Sequence, residues 1–360
     1  YIQGIFNYRS SDYAHKNVVI KHVFAYDNSG KNGPQIPNTG SGIIISDVDG
    51  GLIERCVAYH NGWLCNSLQG GPVGIWAWDS NNITIQYNES YNNKTNGKKD
   101  GGGFDLDGGM KNSVMQYNYS HDNDGHGYLL AQFPYARKSY NNVVRFNISQ
   151  NDGRKNRTGG IYFWGDFRNT EVYNNTVYMD APPSVDSIKP TPLGFELNDI
   201  APFFQSQLPS EIKIMNNIFI AAPELNIVQV FDDIEDLVLK NNNYFKTDST
   251  FSVLWKGKIF KSIDEWRKAT NQEVEGANIF GFNLNPQCRK MGKGQTINNA
   301  DSLNALTAYD LLPNSPLINK GLNIADFLKI KNPAFDYTGK KVPIDGKFDL
   351  GAIEFDVNLN

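Results

Sequence analysis

The sequence predicts an all-β protein built as a solenoid of stacked coils and closed at its C-terminal end by a segment that carries one short helix. Three observations predict it. An apolar phrase ending in asparagine returns about once per thirty residues. A second short strand, introduced by glycine, lies between successive copies, and segments with the length of ordinary helices are nearly absent from a chain rich in asparagine and holding 33 glycines.

The recurring phrase reads "NITIQYNESYNN" from Asn82, "NSVMQYNYSHDN" from Asn112, "NNVVRFNISQND" from Asn141 and "NTEVYNNTVYMD" from Asn169. Aligning the copies stacks an apolar column, Ile20, Ile53, Ile85, Met115, Val144, Val172, Ile214 and Leu239, and three positions later a column of Asn88, Asn118, Asn147, Asn175, Asn217 and Asn242. Intervals in the apolar column range from 25 to 42 residues, so loops vary while strands persist. Asparagines at one bend of successive coils can pass side-chain hydrogen bonds along the stack, which satisfies amides that are costly to bury alone. A strand of four to six residues cannot cover its own apolar face, and neighbouring coils must do so.

With these columns in place, the chain from about Asn17 to Phe245 resembles a right-handed parallel β-helix of the pectate-lyase-like superfamily, whose coils carry asparagine ladders. The resemblance implies architecture more than chemistry, since that fold serves lyases, hydrolases, esterases and phage adhesins. It also implies a secreted or periplasmic protein. Residues 1–246 are expected to form the coils and 247–360 a cap on the last of them, with "KSIDEWRKAT" from Lys261 as the helix behind a Ser262–Glu265 capping box. The sequence opens almost directly on a coil, and a further N-terminal stretch of chain is expected before it.

The glycine-led strands are "GIIIS" from Gly42, "GIWAW" from Gly74, "GFDLD" from Gly103, "GYLLA" from Gly127, "GIYFW" from Gly160 and "GFELN" from Gly194. Alternation turns Ile75/Ala77, Phe104/Leu106, Tyr128/Leu130 and Ile161/Phe163 inward. It leaves Trp76/Trp78, Asp105/Asp107, Tyr162/Trp164 and Glu196 facing out. Neighbouring strands lie about 4.8 Å apart, so the tryptophans flank the aspartates one coil away and Tyr162/Trp164 two coils to the other side. Aromatic rings beside acids along a groove suit a polysaccharide or oligosaccharide: rings meet apolar sugar faces, and hydroxyls bond to carboxylates. The competing expectation is that loops cover these aromatics to make a second small core.

Residues i and i+2 of a strand stand ~6.6 Å apart at Cα, which brings the Asp105 and Asp107 carboxyls near the separations used for glycoside hydrolysis. Their repulsion would drive one proton affinity up and separate an acid from a base. His121 replaces a tyrosine of the column Tyr26, Tyr59, Tyr91 and Tyr178 and joins the pair as a catalytic candidate. Asp124 and His126, in the Gly-flanked loop after it, are candidates for substrate binding, as are the outward aromatics and Glu196. No cofactor is expected for hydrolysis. A lyase would instead use a Lys or Arg base and Ca2+, with Lys98, Lys99, Arg137, Lys138 and Arg154 as bases and Asp100, Asp105, Asp107, Asp122 and Asp124 as ligands. A third alternative is a β-helix that binds glycan without cleaving it.

Other classes find no support. A net charge of −4 without a dense Lys/Arg block gives no footprint for nucleic acid or an anionic membrane, and no apolar run is long enough to span a bilayer. The three cysteines match no zinc spacing and are expected to be buried thiols. A capped solenoid is expected to be a monomer.

Overall fold

The computed structural model describes residues 12–36, 38–133, 136–183, 189–196, 209–330, 335–344 and 346–356. Its coils are stacked so that every neighbour along the axis pairs in parallel, and three sheets run the length of the solenoid. The predicted repeat phrase holds two of these strands, not one: Asn81–Gln86 belongs to one sheet and Glu89–Tyr91 to the next. The corner between them is made by a residue in the left-handed region just before each ladder asparagine: Tyr87 (φ 53°), Tyr117 (58°) and Phe146 (50°). A non-glycine residue tolerates that conformation only where surrounding contacts fix it, and here the ladder bonds do so on every coil.

The apolar column is in register throughout, from Ile20 opposite Ile53 to Ile214 opposite Leu239. Each ladder amide donates to the next side-chain oxygen, Asn88 to Asn118 at 2.9 Å, Asn118 to Asn147 and Asn147 to Asn175 at 3.0 Å, then Asn175 to Asn217 and Asn217 to Asn242 at 2.9 Å. A second ladder, absent from the alignment, links Asn28, Asn61, Asn93, Asn123 and Asp152 at the next corner. Inside, Ile75, Phe104, Tyr128, Ile161 and Leu193 follow one another coil by coil in one continuous core.

The helix Ile263–Thr270 forms where expected, with the Ser262 hydroxyl accepting from the Asp264 amide at 3.2 Å. It drives Trp266 into the end of the core against Tyr244 and Trp255. Glu273 then terminates the asparagine ladder, accepting from the Asn242 side chain at 2.9 Å and from the Tyr244 hydroxyl at 2.7 Å. The rest of the C-terminal segment does not stay on the last coils. It runs back along the solenoid as a strap, burying Leu303, Tyr309 and Leu317 against Tyr119, Ile148 and Ile218, and reaches the early coils where Arg55 pairs with Asp301. No described helix is long and apolar enough to cross a membrane.

Candidate active site

The strand Gly102–Asp107 lies between Val73–Trp78 and Tyr128–Ala131, with Trp76 opposite Asp105 and Trp78 opposite Asp107. Tyr162 and Trp164 follow two coils on, and Glu196 pairs with Trp164. The predicted row of outward residues is thus assembled on one face. Asn198, the last residue of the "GFELN" strand, lies outside the described residues.

That face is not the open groove the alternation predicts. Trp76 is 2% exposed, Asp105 3% and Tyr162 1%. Trp76 packs with Ile44, Val73 and Trp78, and its indole N–H donates to Ser41 Oγ at 3.1 Å. Tyr162 packs with Leu129, Ala131 and Trp164, lies over Gly194, and donates its hydroxyl to Glu196 Oε2 at 2.7 Å. Arg157 ion-pairs with the same carboxylate. Facing out of the barrel therefore does not mean facing water, because side chains of adjacent coils cover one another in small secondary clusters. Trp78, Asp107, Trp164 and Glu196 remain half-buried and form the accessible edge.

The acids sit in this graded environment. Burial, then the neighbouring Asp107 and Asp100 carboxyls, push Asp105 well above the ordinary carboxylate range, and its Oδ1 has no hydrogen-bond partner. Asp107 is pushed up to about 7, chiefly by burial, against a hydrogen bond that its Oδ1 accepts from the Gly108 amide at 2.7 Å. Asp100, weighed in the sequence only as a cation ligand, raises both and is itself raised by burial. Three acids thus share the site, and the glycines after Asp100 are what allow the coil to close on them. A Cβ at Gly102 would lie 2.2 Å from His126 Nε2.

His126 is fully buried on that glycine, with neither ring nitrogen hydrogen-bonded, and burial pulls it down to about 3. Asp124 turns its carboxylate to Lys94 Nζ at 3.3 Å and to the Thr95 amide at 3.1 Å. His121 is not brought to the acids. It occupies the tyrosine column as predicted, stacked 4.9 Å from Tyr91, but on the sheet covered by the C-terminal strap. There its ring nitrogens meet Asp122 at 2.9 Å and Glu89 at 3.2 Å, and Glu89 accepts the amides of Ile297 and Asn298 from the strap. It thereby joins Asp122 to the carboxylate that holds the strap.

Three of the acids expected as calcium ligands already have partners. Asp124 is held by Lys94 and Thr95, Asp122 by His121, and Asp100 Oδ2 accepts from the Gly71 amide at 2.5 Å. Among the described residues no three His, Cys, Asp or Glu side chains converge as metal ligands. Arg137 and Arg154, two of the candidate lyase bases, are directed to Asp47 and Asp79 and to the Asp180 and Ala181 carbonyls.

A family model described as the right handed beta helix region matches residues 3–177. A lacto-N-biosidase of Bifidobacterium longum subsp. longum is 39% identical over 120 residues, which is 32% of this chain and 7% of that protein, so the chain spans a small part of this relative. Among solved structures, XylC in complex with xylose aligns over 93% of this chain and 50% of its own, with 13% identity and a TM-score of 0.48. The cedar pollen allergen Jun a 1 (TM-score 0.35, 14% identity, 84% and 79% covered) and pectate lyase Pel9A (0.32, 12%, 97% and 90%) align more loosely.

Proposed function

We propose that this chain, a solenoid of stacked parallel strands whose residues 3–177 match the right handed beta helix region, is a carbohydrate-active enzyme that hydrolyses glycosidic bonds with the carboxyl pair Asp105 and Asp107. The observation that carries this is their unequal burial, Asp105 closed in opposite Trp76 with its carboxyl held well above the ordinary range and Asp107 half-buried opposite Trp78 and raised to about 7. Asp105 gives its proton to the leaving glycosidic oxygen as the C1–O bond breaks. Ionised Asp107 takes a proton from the water whose oxygen bonds to C1. Trp78 offers a sugar ring an apolar face, while Trp76 behind it fixes its orientation. The 120 residues similar to a protein named lacto-N-biosidase support the coarser reading of a carbohydrate-active enzyme.

Elimination from a uronate polymer is the weaker alternative. Three clustered acids would repel such a substrate, and Arg137 and Arg154, two of the cations that could offset them, are directed elsewhere. The test is a panel of plant, algal and animal glycans with products read two ways. New reducing ends without unsaturation support hydrolysis. Unsaturated, ultraviolet-absorbing products would establish a lyase, and retention of a glycan without product would establish a binding module.

A further inference from the structure

We propose that Phe133 is a sugar-contacting residue that, with Trp78, forms an angled aromatic platform beside Asp107, and that Arg137 is the positioning residue that holds it there. The proposal rests on the glycan-cleaving role of the Asp105/Asp107 pair and adds to it a ligand surface of known composition.

Phe133 belongs to the loop that leaves the strand Tyr128–Ala131, one coil beyond Asp107, and folds back over the end of the acid strand. Its ring centroid lies 6.1 Å from that of Trp78 at an interplanar angle of 54°, which makes a cleft of two faces instead of a closed stack. Both rings are half-buried, as is Asp107. The ring rests on Gly108, where a Cβ would come within 2.3 Å of Phe133 Cε1, so the glycine directly after Asp107 is the seat of this aromatic. The loop is secured on both sides of Phe133. Gln132 Oε1 accepts from the Gly109 amide at 2.9 Å, and Gln132 Nε2 donates to the Arg137 carbonyl at 3.0 Å. The Arg137 guanidinium then reaches down two further coils, to Asp79 Oδ2 at 2.9 Å and Asp47 Oδ1 at 3.2 Å, all three side chains being largely buried.

Such an anchor is more than a surface loop needs, since exposed ion pairs add little. A buried guanidinium whose Nη1 meets two carboxylates while its Nη2 donates to the Asp12 carbonyl at 3.0 Å fixes a geometry that lysine, with one nitrogen, cannot reproduce. What it fixes is the position of one aromatic face relative to Trp78 and Asp107. An uncharged pyranose ring, with an apolar C–H face and hydroxyls at its rim, fits between the aromatics and the acid.

The experiment is steady-state kinetics on a cleaved oligosaccharide for wild type, Phe133→Leu, Phe133→Tyr and Arg137→Lys, with thermal melts alongside. Leucine keeps apolar volume over Gly108 but removes the ring. The expected result is a KM raised roughly tenfold in Phe133→Leu with kcat within about twofold, restoration in Phe133→Tyr, and an intermediate KM in Arg137→Lys. A wild-type KM in Phe133→Leu, or a fall in melting temperature as its only effect, would overturn the platform. Undiminished turnover in Asp107→Asn would remove the acid-pair mechanism while leaving the KM result standing. A wild type that neither cuts nor retains any glycan would remove both.

Discussion

Asp107 stands opposite Trp78 in the register that places Asp105 opposite Trp76, so two steps along one pair of strands lead from a closed layer to a half-open one. The graded burial gives two chemically identical side chains unlike proton affinities, as acid–base catalysis requires.

The pH dependence follows from that split. Asp107 must be ionised to accept a proton, so kcat/KM should climb with pH through an apparent value near 7. Initial rates from pH 4 to 10 check this; an acid limb centred near 4 would mean that Asp107 is not raised in the working enzyme.

Stability should respond with the opposite sign. Because folding raises the Asp107 value above the ordinary 3.8, the neutral carboxyl's stabilisation is complete below that value and is lost as pH rises through about 7. Asp107→Asn should therefore resemble wild type in urea unfolding at pH 4 and exceed it at pH 8.

The asparagine ladder should be costly to interrupt. Asn147 accepts from the Asn118 amide and side chain and donates to Asn175 and the Met115 carbonyl, all buried. Asn147→Ala should lower unfolding free energy by about 3 kcal/mol, since several buried groups lose partners at once. Equilibrium denaturation measures it.

How much of this was readable in the sequence depends on what fixes each feature. Strict period and alternation carry the coils, the apolar column and the Asn88–Asn242 ladder, and these stand where the alignment puts them. The extra corner at Tyr87 and Tyr117 is hidden, because left-handed tyrosines leave no glycine to mark them. The second ladder is hidden because it ends on Asp152 and begins in irregular loops. At the site, pattern specifies which residues face outward but not what lies on top of them. Trp76 and Tyr162 are covered by side chains from neighbouring coils and loops, contacts with no sequence period, and Asp105 is buried between their coils. The position of Phe133 over Gly108 has no period either, and the tyrosine column locates His121 without revealing the strap, whose amides reach Glu89 from 208 and 209 positions away.

That strap should loosen with rising pH. Burial alone would lower His121, but its bonds to Asp122 and Glu89 prevail and raise it above the ordinary 6.5. The charged ring's stabilisation is full below 6.5 and is lost as pH climbs through the raised value. Amide exchange at Ile297 and Asn298 should quicken across that range in wild type beyond the intrinsic pH effect, and the excess should vanish in His121→Gln.

The most direct test of the central claim is turnover by Asp105→Asn and Asp107→Asn on a glycan the wild type cleaves, measured with retention of that glycan. Each variant should bind it while losing roughly a hundredfold or more in kcat. Either variant cutting at the wild-type rate would contradict the assignment of catalysis to this pair.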